Sequence, residues 1–151
     1  MPTTYAIPDG RTVMAATLYT GTGAGLTISN AVNGISFQPD LVWIKVRTTT
    51  YNHNLYDSLR GTSMLASNLT LAENPSGSPG DLTTYNAGGF SIQQTGNYEL
   101  SHSGDTYVAW QWNAGGSTVT NTDGSISAQV RANPTAGFSV VTYTGTGDRK
   151  S

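Results

Sequence analysis

The chain has 151 residues, of which 36% are hydrophobic and only 11% are charged, and its formal net charge is −2. A chain of this length forms one domain, or one domain with a short extension, and it can bury a core without disulfides or a structural metal. Seven basic residues against nine acidic ones exclude the clustered positive charge that nucleic-acid binding requires, and no apolar run is long enough for membrane insertion.

Short segments of alternating apolar and polar residues recur along the chain, separated by Gly, Asn, Asp and Pro. Alternation with a period of two is typical of half-buried β-strands. In chain order it predicts strands at Val13–Thr20, Leu26–Ser29, Leu41–Arg47, His53–Ser58, Leu82–Tyr85, Phe90–Thr95, Thr106–Asn113, Ser125–Val130 and Phe138–Thr144. A helical turn is predicted only within Ser58–Leu71. Many short strands of this kind predict an all-β fold, an antiparallel β-sandwich or jelly roll with little or no helix.

The period of two also predicts which way side chains point in two of these strands. The strand at 41–47 has three β-branched residues on one face, predicted to be the core, and Trp43 on the outer face beside two cations. Cation–π packing, or burial under a partner, would account for this outer indole. In the strand at 106–113, Trp110 and Trp112 share a face. We predict that this face is core, because an aromatic stripe at strand spacing is more often packing than a binding platform.

The first and last predicted strands lead into the same five-residue segment. Tyr19–Gly23 and Tyr143–Gly147 both read Tyr-Thr-Gly-Thr-Gly, at an offset of 124 residues. That offset is the length of a domain and is too long for a solenoid repeat. We therefore predict an N-terminal arm at 1–12, a β-sandwich domain at 13–134, and a C-terminal strand at 135–151 that resembles the start of a second repeat. Alternatively, the two strands are equivalent positions within one sandwich.

Few residues suit catalysis or metal binding. His53 and Asp57 share a strand face, but about 13 Å of extended chain separates them, so they form no local dyad. Asp57 and Arg60 can form an ion pair that orders a loop. His102 and Asp105 can meet across a turn, which would suit a metal or a general base, although loops often have this composition. We predict no enzyme activity, no catalytic residue, no metal and no cofactor; a hydrolase that uses His102 and Asp105 is the enzymatic alternative.

The composition favours a surface that binds by display rather than by reaction. A rigid β scaffold that presents aromatic and short polar side chains can bind sugars or partner proteins. The alternative is that Thr and Asn simply solvate strands whose low charge suits packing against identical neighbours. The candidate ligand or partner contacts, chosen for predicted exposure and low rotamer entropy, are Trp43, Tyr51, His53, Tyr56 and Arg60.

Four ordered segments carry a family resemblance: Phe37–Lys45, His53–Gly61, Gly104–Trp110, and Asn121 through Gly145. They resemble a β-rich domain of uncharacterised function in virion proteins of tailed bacteriophages, notably marine and cyanobacterial ones. The resemblance covers about Val13 to Gly147, and it implies that the C-terminal strand opens a tandem copy of the domain. The chain departs from that pattern at Val46 and Gln111, and by stopping before a second copy is built.

The resemblance implies a non-enzymatic virion structural protein of the tail-fibre or adhesin type, which displays loops to a host-surface glycan or protein. The alternative is a capsid decoration or cement protein that binds the phage shell. The implied partners are other virion proteins and further copies of this chain, as a homo-oligomer and most simply a trimer, joined where the C-terminal strand pairs with a neighbour's sheet edge. The implied location is the virion, assembled in the host cytoplasm and released by lysis, which fits the lack of a visible export signal.

Overall fold

The computed structural model describes residues 7, 9–73, 82–93 and 100–147, and in these ranges the protein is all-β. The predicted fold class is confirmed, and the only helical segment in these ranges is a single 3-10 turn at Gly10–Thr12. The strands are β1 (Met14–Thr20), β2 (Leu26–Ser29), β3 (Leu41–Val46), β4 (Asn54–Asp57), β5 (Leu65–Ala66), β6 (Leu82–Asn86), β7 (Gly89–Ile92), β8 (Thr106–Trp112), β9 (Val119–Asn121), β10 (Ala128–Asn133) and β11 (Phe138–Tyr143).

Two antiparallel sheets enclose the main core in a sandwich-like arrangement. The larger sheet has five strands in the order β1-β8-β3-β4-β5, and the smaller has three in the order β2-β7-β6. Alternating residues of both sheets meet in one apolar cluster, as expected for strands that bury one face. Its buried members are Ile28, Val42, Ile44, Val46, Tyr56, Met64, Leu82, Phe90, Ile92, Leu100, Tyr107 and Ala109.

A third sheet, in the order β11-β10-β9, is attached where β3 begins and β8 ends. Arg131 of β10 donates from Nη1 to Oδ1 of Asp40 at 2.8 Å, and Phe138 of β11 stacks on Trp112 of β8 with ring centroids 6.1 Å apart. Within its own chain, β11 pairs with β10 along one edge. That β11 also opens a second repeat stays a prediction.

The predicted strands differ from the observed ones mainly in the second half of the chain. The strand predicted at Ser125–Val130 begins later, because β10 runs from Ala128 to Asn133, and β5 and β9 were not predicted. Residues 94 and 95 of the predicted Phe90–Thr95 strand lie outside the described residues.

The helical turn predicted within Ser58–Leu71 is wrong in the structure. Oδ1 of Asp57 accepts hydrogen bonds from the backbone N–H groups of Leu59 and Arg60, at 3.1 and 2.9 Å. An aspartate that binds the backbone two and three residues onward stabilises a tight turn rather than a helix interior. The chain then returns as β5, which pairs with β4.

The Asp40 carboxylate connects four parts of the chain. It is 4% exposed. Its Oδ1 accepts from Ser58 Oγ and from Arg131, both at 2.8 Å, and its Oδ2 accepts from the backbone N–H groups of Ala114 and Gly115 at 2.8 and 3.1 Å. A buried carboxylate with this many donors is stabilising only as long as all of them remain paired.

We expect Asp40→Ala to lower the free energy of unfolding by about 3 to 5 kcal/mol, because it leaves the half-buried Arg131 guanidinium without a counter-charge and the backbone N–H of Ala114 without its acceptor. Urea unfolding followed by circular dichroism measures the change. The control is Arg11→Ala, which breaks the exposed Asp9–Arg11 pair and should leave the free energy of unfolding nearly unchanged. Equal losses in the two variants would contradict the role of Asp40.

Three tyrosines in and around the core make stability sensitive to alkaline pH. Tyr19 stacks on Tyr107 with ring centroids 4.8 Å apart, and its hydroxyl donates to the carbonyl of Leu100 at 2.9 Å. Burial raises the pKa of Tyr19 well above its usual value, and burial also raises the pKa of Tyr85 and of Tyr107. The fold therefore favours the neutral phenols. Their contribution to the free energy of unfolding is complete below the unfolded-state pKa of about 10, and it is lost as pH rises further.

We expect Tyr19→Phe to lose about 1 kcal/mol of stability at pH 7, because one hydrogen bond is removed. Above pH 10 its stability should fall less steeply than that of the wild type, by up to about 1.4 kcal/mol per pH unit for the one phenol that is absent. Urea unfolding at a series of pH values measures both effects. Tyr143→Phe, at a site that is 69% exposed, is the control. Parallel curves for Tyr19→Phe and the wild type would contradict the expectation.

Candidate functional site

The candidate site is the face of the five-stranded sheet that points away from the sandwich core. We call it the outer face. The register places Thr20, Thr106 and the buried Asp57 at its margins, and its remaining residues are Met14, Ala16, Leu18, Leu41, Trp43, Lys45, Leu55, Leu65, Val108, Trp110 and Trp112. None of these remaining residues is buried, and all but Lys45 are apolar. Side chains that lie directly opposite each other in neighbouring strands share a face. One unbroken row of such neighbours crosses all five strands: Ala16, Trp110, Trp43, Leu55 and Leu65.

The prediction that Trp110 and Trp112 face the core is wrong. The buried residues of β8 are those of the other face, Tyr107, Ala109 and Gln111, each 0% exposed. The physical reason is the register of β8 against β3, in which Trp110 lies directly opposite Trp43. Because the core was correctly predicted to take Val42, Ile44 and Val46, Trp43 points outward and Trp110 must point outward beside it.

Gln111 can face the core because its polar atoms are paired there. Its Oε1 accepts from Nδ2 of Asn30 at 3.2 Å, and its Nε2 donates to Oγ1 of Thr17 at 3.0 Å. Asn30 is itself buried and bonds to both backbone groups of Phe37. A buried amide that is fully paired is tolerated in a core, so no penalty forces the tryptophan face inward.

Three aromatic rings meet at the centre of the outer face. The ring of Trp43 lies 5.5 Å from that of Trp110 and 6.1 Å from that of His53, and both pairs are tilted. Tilted aromatic pairs at this separation attract beyond their apolar contact. The Trp43 indole Nε1 is buried and has no hydrogen-bond partner among the described residues. The centre of the face thus offers aromatic surface, while the unpaired indole N–H lies beneath that surface.

One of the two cations expected beside Trp43, Lys45, is held by a loop. Lys45 Nζ donates to the carbonyl oxygens of Val46 and Tyr51, at 2.8 and 3.1 Å. These bonds direct the ammonium group to the segment that follows β3. Apolar surface, rather than this charge, therefore dominates the face.

The structure brings together only two of the five predicted contact residues, Trp43 and His53. Tyr51 packs against the core cluster through its ring. Tyr56 is 1% exposed inside the core, so the exposure predicted for it is wrong, and it cannot contact a partner. It lies on the opposite face of β4 from Leu55, directly across from Val42.

Arg60 forms the ion pair that was predicted with Asp57. Its Nε lies 2.6 Å from Oδ2 of Asp57, and its side chain is only 14% exposed. The pair was expected at the surface and is instead mostly buried. Together with the backbone bonds to Asp57, it orders the turn after β4, which is the predicted role.

His102 and Asp105 do meet across a turn, with 2.8 Å between His102 Nδ1 and Asp105 Oδ2. The other carboxylate oxygen accepts from Oγ1 of Thr48 at 2.7 Å. The pair therefore joins the turn before β8 to the segment after β3. In the part of the chain that the structure describes, no three His, Cys, Asp or Glu side chains are grouped so that they could hold a metal ion.

The fold and the outer face define an all-β protein with an aromatic sheet surface. Residues 9–151 match the family described as "Domain of unknown function (DUF7483)". The match covers most of the chain, so the protein belongs to this family. No curated protein and no solved structure matches the chain. A search of the described residues finds no helix with the length and apolarity needed to cross a membrane.

Proposed function

We propose that this protein is a non-enzymatic binding domain that attaches to its partner through the outer face. The observation that carries the proposal is the apolar row across all five strands, with Trp110 and Trp43 at its centre and none of its members buried. A contiguous apolar surface costs free energy in water and is typical of a contact site. Isolated exposed apolar residues need no such explanation, but an unbroken row does.

The chemistry of the face indicates what kind of partner it binds. Tryptophan is enriched among the residues that dominate binding energy, because a large rigid ring buries much surface at low entropic cost. The His53 ring adds a polar group at the same place. Binding through this face rests on stacking and apolar contact, with little dependence on salt.

Within this proposal the protein is a bacteriophage virion protein of the tail-fibre or adhesin type, and the partner is a glycan or protein on the host surface. The support is the resemblance of four segments to virion proteins of tailed phages. The same resemblance supports a location in the virion, contacts with other virion proteins, and a homotrimer. A capsid decoration protein is the alternative, because an apolar sheet face can equally attach to a phage shell.

We expect Trp110→Ala to weaken binding to the partner by about 30-fold, which corresponds to the loss of about 2 kcal/mol that is typical of a central tryptophan. The measurement titrates fluorescently labelled protein onto a panel of marine and cyanobacterial cells and onto a glycan array. The matched control is Val119→Ala, which removes a side chain that is 57% exposed and lies on β9 of the third sheet rather than on the five-stranded sheet. Thermal unfolding of both variants shows whether the fold is retained.

Three outcomes would count against the adhesin proposal. If neither cells nor glycans bind the protein while purified capsids do, the decoration protein is correct instead. If cells bind Trp110→Ala as tightly as the wild type, the outer face is not the contact surface. Turnover of a cell-surface polymer that His102→Ala abolishes would favour the hydrolase over both.

A further inference from the structure

The two copies of Tyr-Thr-Gly-Thr-Gly lie in different surroundings. In the first copy, at the end of β1, Tyr19 stacks on Tyr107 and bonds to the carbonyl of Leu100. In the second copy, at the end of β11, Tyr143 is 69% exposed. One of two identical segments therefore packs into the protein, and the other presents the same tyrosine to solvent.

The position of β1 against β8 requires the glycines of the first copy. A Cβ at Gly21 would collide with the carbonyl oxygen of His102 and lie 2.7 Å from the carbonyl carbon of Ser101. Gly23 has a φ of +75°, in the left-handed region that side chains rarely adopt. The turn after β1 can thus be built only by a segment with glycine at the first position, and it strongly favours glycine at the second.

The second copy also has glycine at both positions, as Gly145 and Gly147. Its own surroundings, however, favour glycine at only one of them. Gly147 has a φ of +80°, so its backbone also favours glycine. At Gly145, by contrast, no atom of the described residues lies within 4 Å of an added Cβ. The surroundings of β11 therefore do not require glycine at position 145. The position that β1 occupies against β8 would require it.

We propose that β11 of one copy of this chain occupies, in a second copy, the position of β1 against β8. Tyr143 then stacks on Tyr107 of the second copy, and Gly145 passes under the carbonyl oxygen of His102 there. β11 lies at the edge of its sheet, so it can pair with a second strand without leaving β10. The partner is thus another copy of this chain, bound by strand addition.

A strand that takes the position of β1 against β8 can also pair with a second strand along its other edge. Backbone bonds at both ends of β1, from Asn113 to Val13 and from Gly21 to Asp105, show that odd-numbered residues face β8. Even-numbered residues therefore direct their backbone groups to the opposite edge. Among the described residues no strand pairs with that edge. A groove lined by residues 14–18 and 29–32 runs beside it.

Within one chain, β1 binds against β8 more favourably than β11 would. Val141 corresponds to Thr17 and cannot accept the hydrogen bond that Gln111 donates to Thr17. Exchange is therefore favoured at high protein concentration, or when β1 is displaced. The contact is head-to-tail, so copies joined in this way close into a ring or extend as a filament, and a ring of three would give a trimer. The inference does not depend on what the outer face binds.

The first test uses the full chain and measures mass by sedimentation over a range of concentrations. Gly21→Ala displaces the end of β1, so we expect this variant to self-associate more strongly than the wild type. Adding Gly145→Ala should restore a monomer, because neither strand then fits against β8. Gly145→Ala alone should unfold at the same temperature as the wild type, and Gly124→Ala, also in open space, is the control. Equal self-association of Gly21→Ala with and without Gly145→Ala would overturn the proposal.

The second test does not require Gly21→Ala to fold. The chain has no cysteine, so single cysteines can be introduced without background. Thr142 corresponds to Leu18, which lies directly opposite Val108. Mixing differently tagged Thr142→Cys and Val108→Cys chains under oxidising conditions should therefore give a disulfide-linked mixed dimer. Thr120→Cys, on β9, should give none with Val108→Cys. The absence of the mixed dimer at every concentration, or equal yields from both mixtures, would contradict the exchange.

Discussion

The register of β8 between β1 and β3 is the constraint on which the rest of the structure depends. β8 pairs with β1 along its whole length and with β3 from Tyr107 to Trp112, so each residue in that stretch shares a face with the two that lie opposite. Tyr107 lies between Tyr19 and Val46 on the core side. A shift of one residue would exchange the two faces of the strand and put Trp110 into the core in place of Ala109, where the space is too small for an indole.

This register connects the core to the proposed function. The core side of β8 is filled by a stacked tyrosine, a small alanine and a paired glutamine, so the sheet can present its tryptophans outward without losing core packing. The third sheet modifies one end of that surface, because Phe138 stacks on Trp112 where Arg131 binds Asp40. Trp43 and Trp110, nearer the middle of the sheet, remain partly exposed. Asp40 therefore holds the third sheet beside the outer face.

Local sequence pattern predicted most strands and the inward face of β3, because alternation is a property of neighbouring residues. It did not predict the face of β8, because that depends on pairing with Trp43, some 67 residues away in the chain. The two interpretations, Trp43 outward and Trp110 inward, are incompatible once those residues are opposite each other. Tyr56 was misassigned for a related reason, since its strand position relative to His53 puts it on the core side. The identical segments after β1 and β11, by contrast, were visible in the sequence, and only the structure shows that their glycines meet different demands.

The three tryptophans of the chain, Trp43, Trp110 and Trp112, all lie on the outer face, so tryptophan fluorescence, excited at wavelengths where tyrosine does not absorb, reports on that face alone. The most direct test is acrylamide quenching of this fluorescence with and without saturating cell-envelope fragments from a host that binds the protein. If the outer face is the contact surface, quenching falls and the emission shifts to shorter wavelength when the partner binds. Unchanged quenching in a sample where binding is complete would contradict the account.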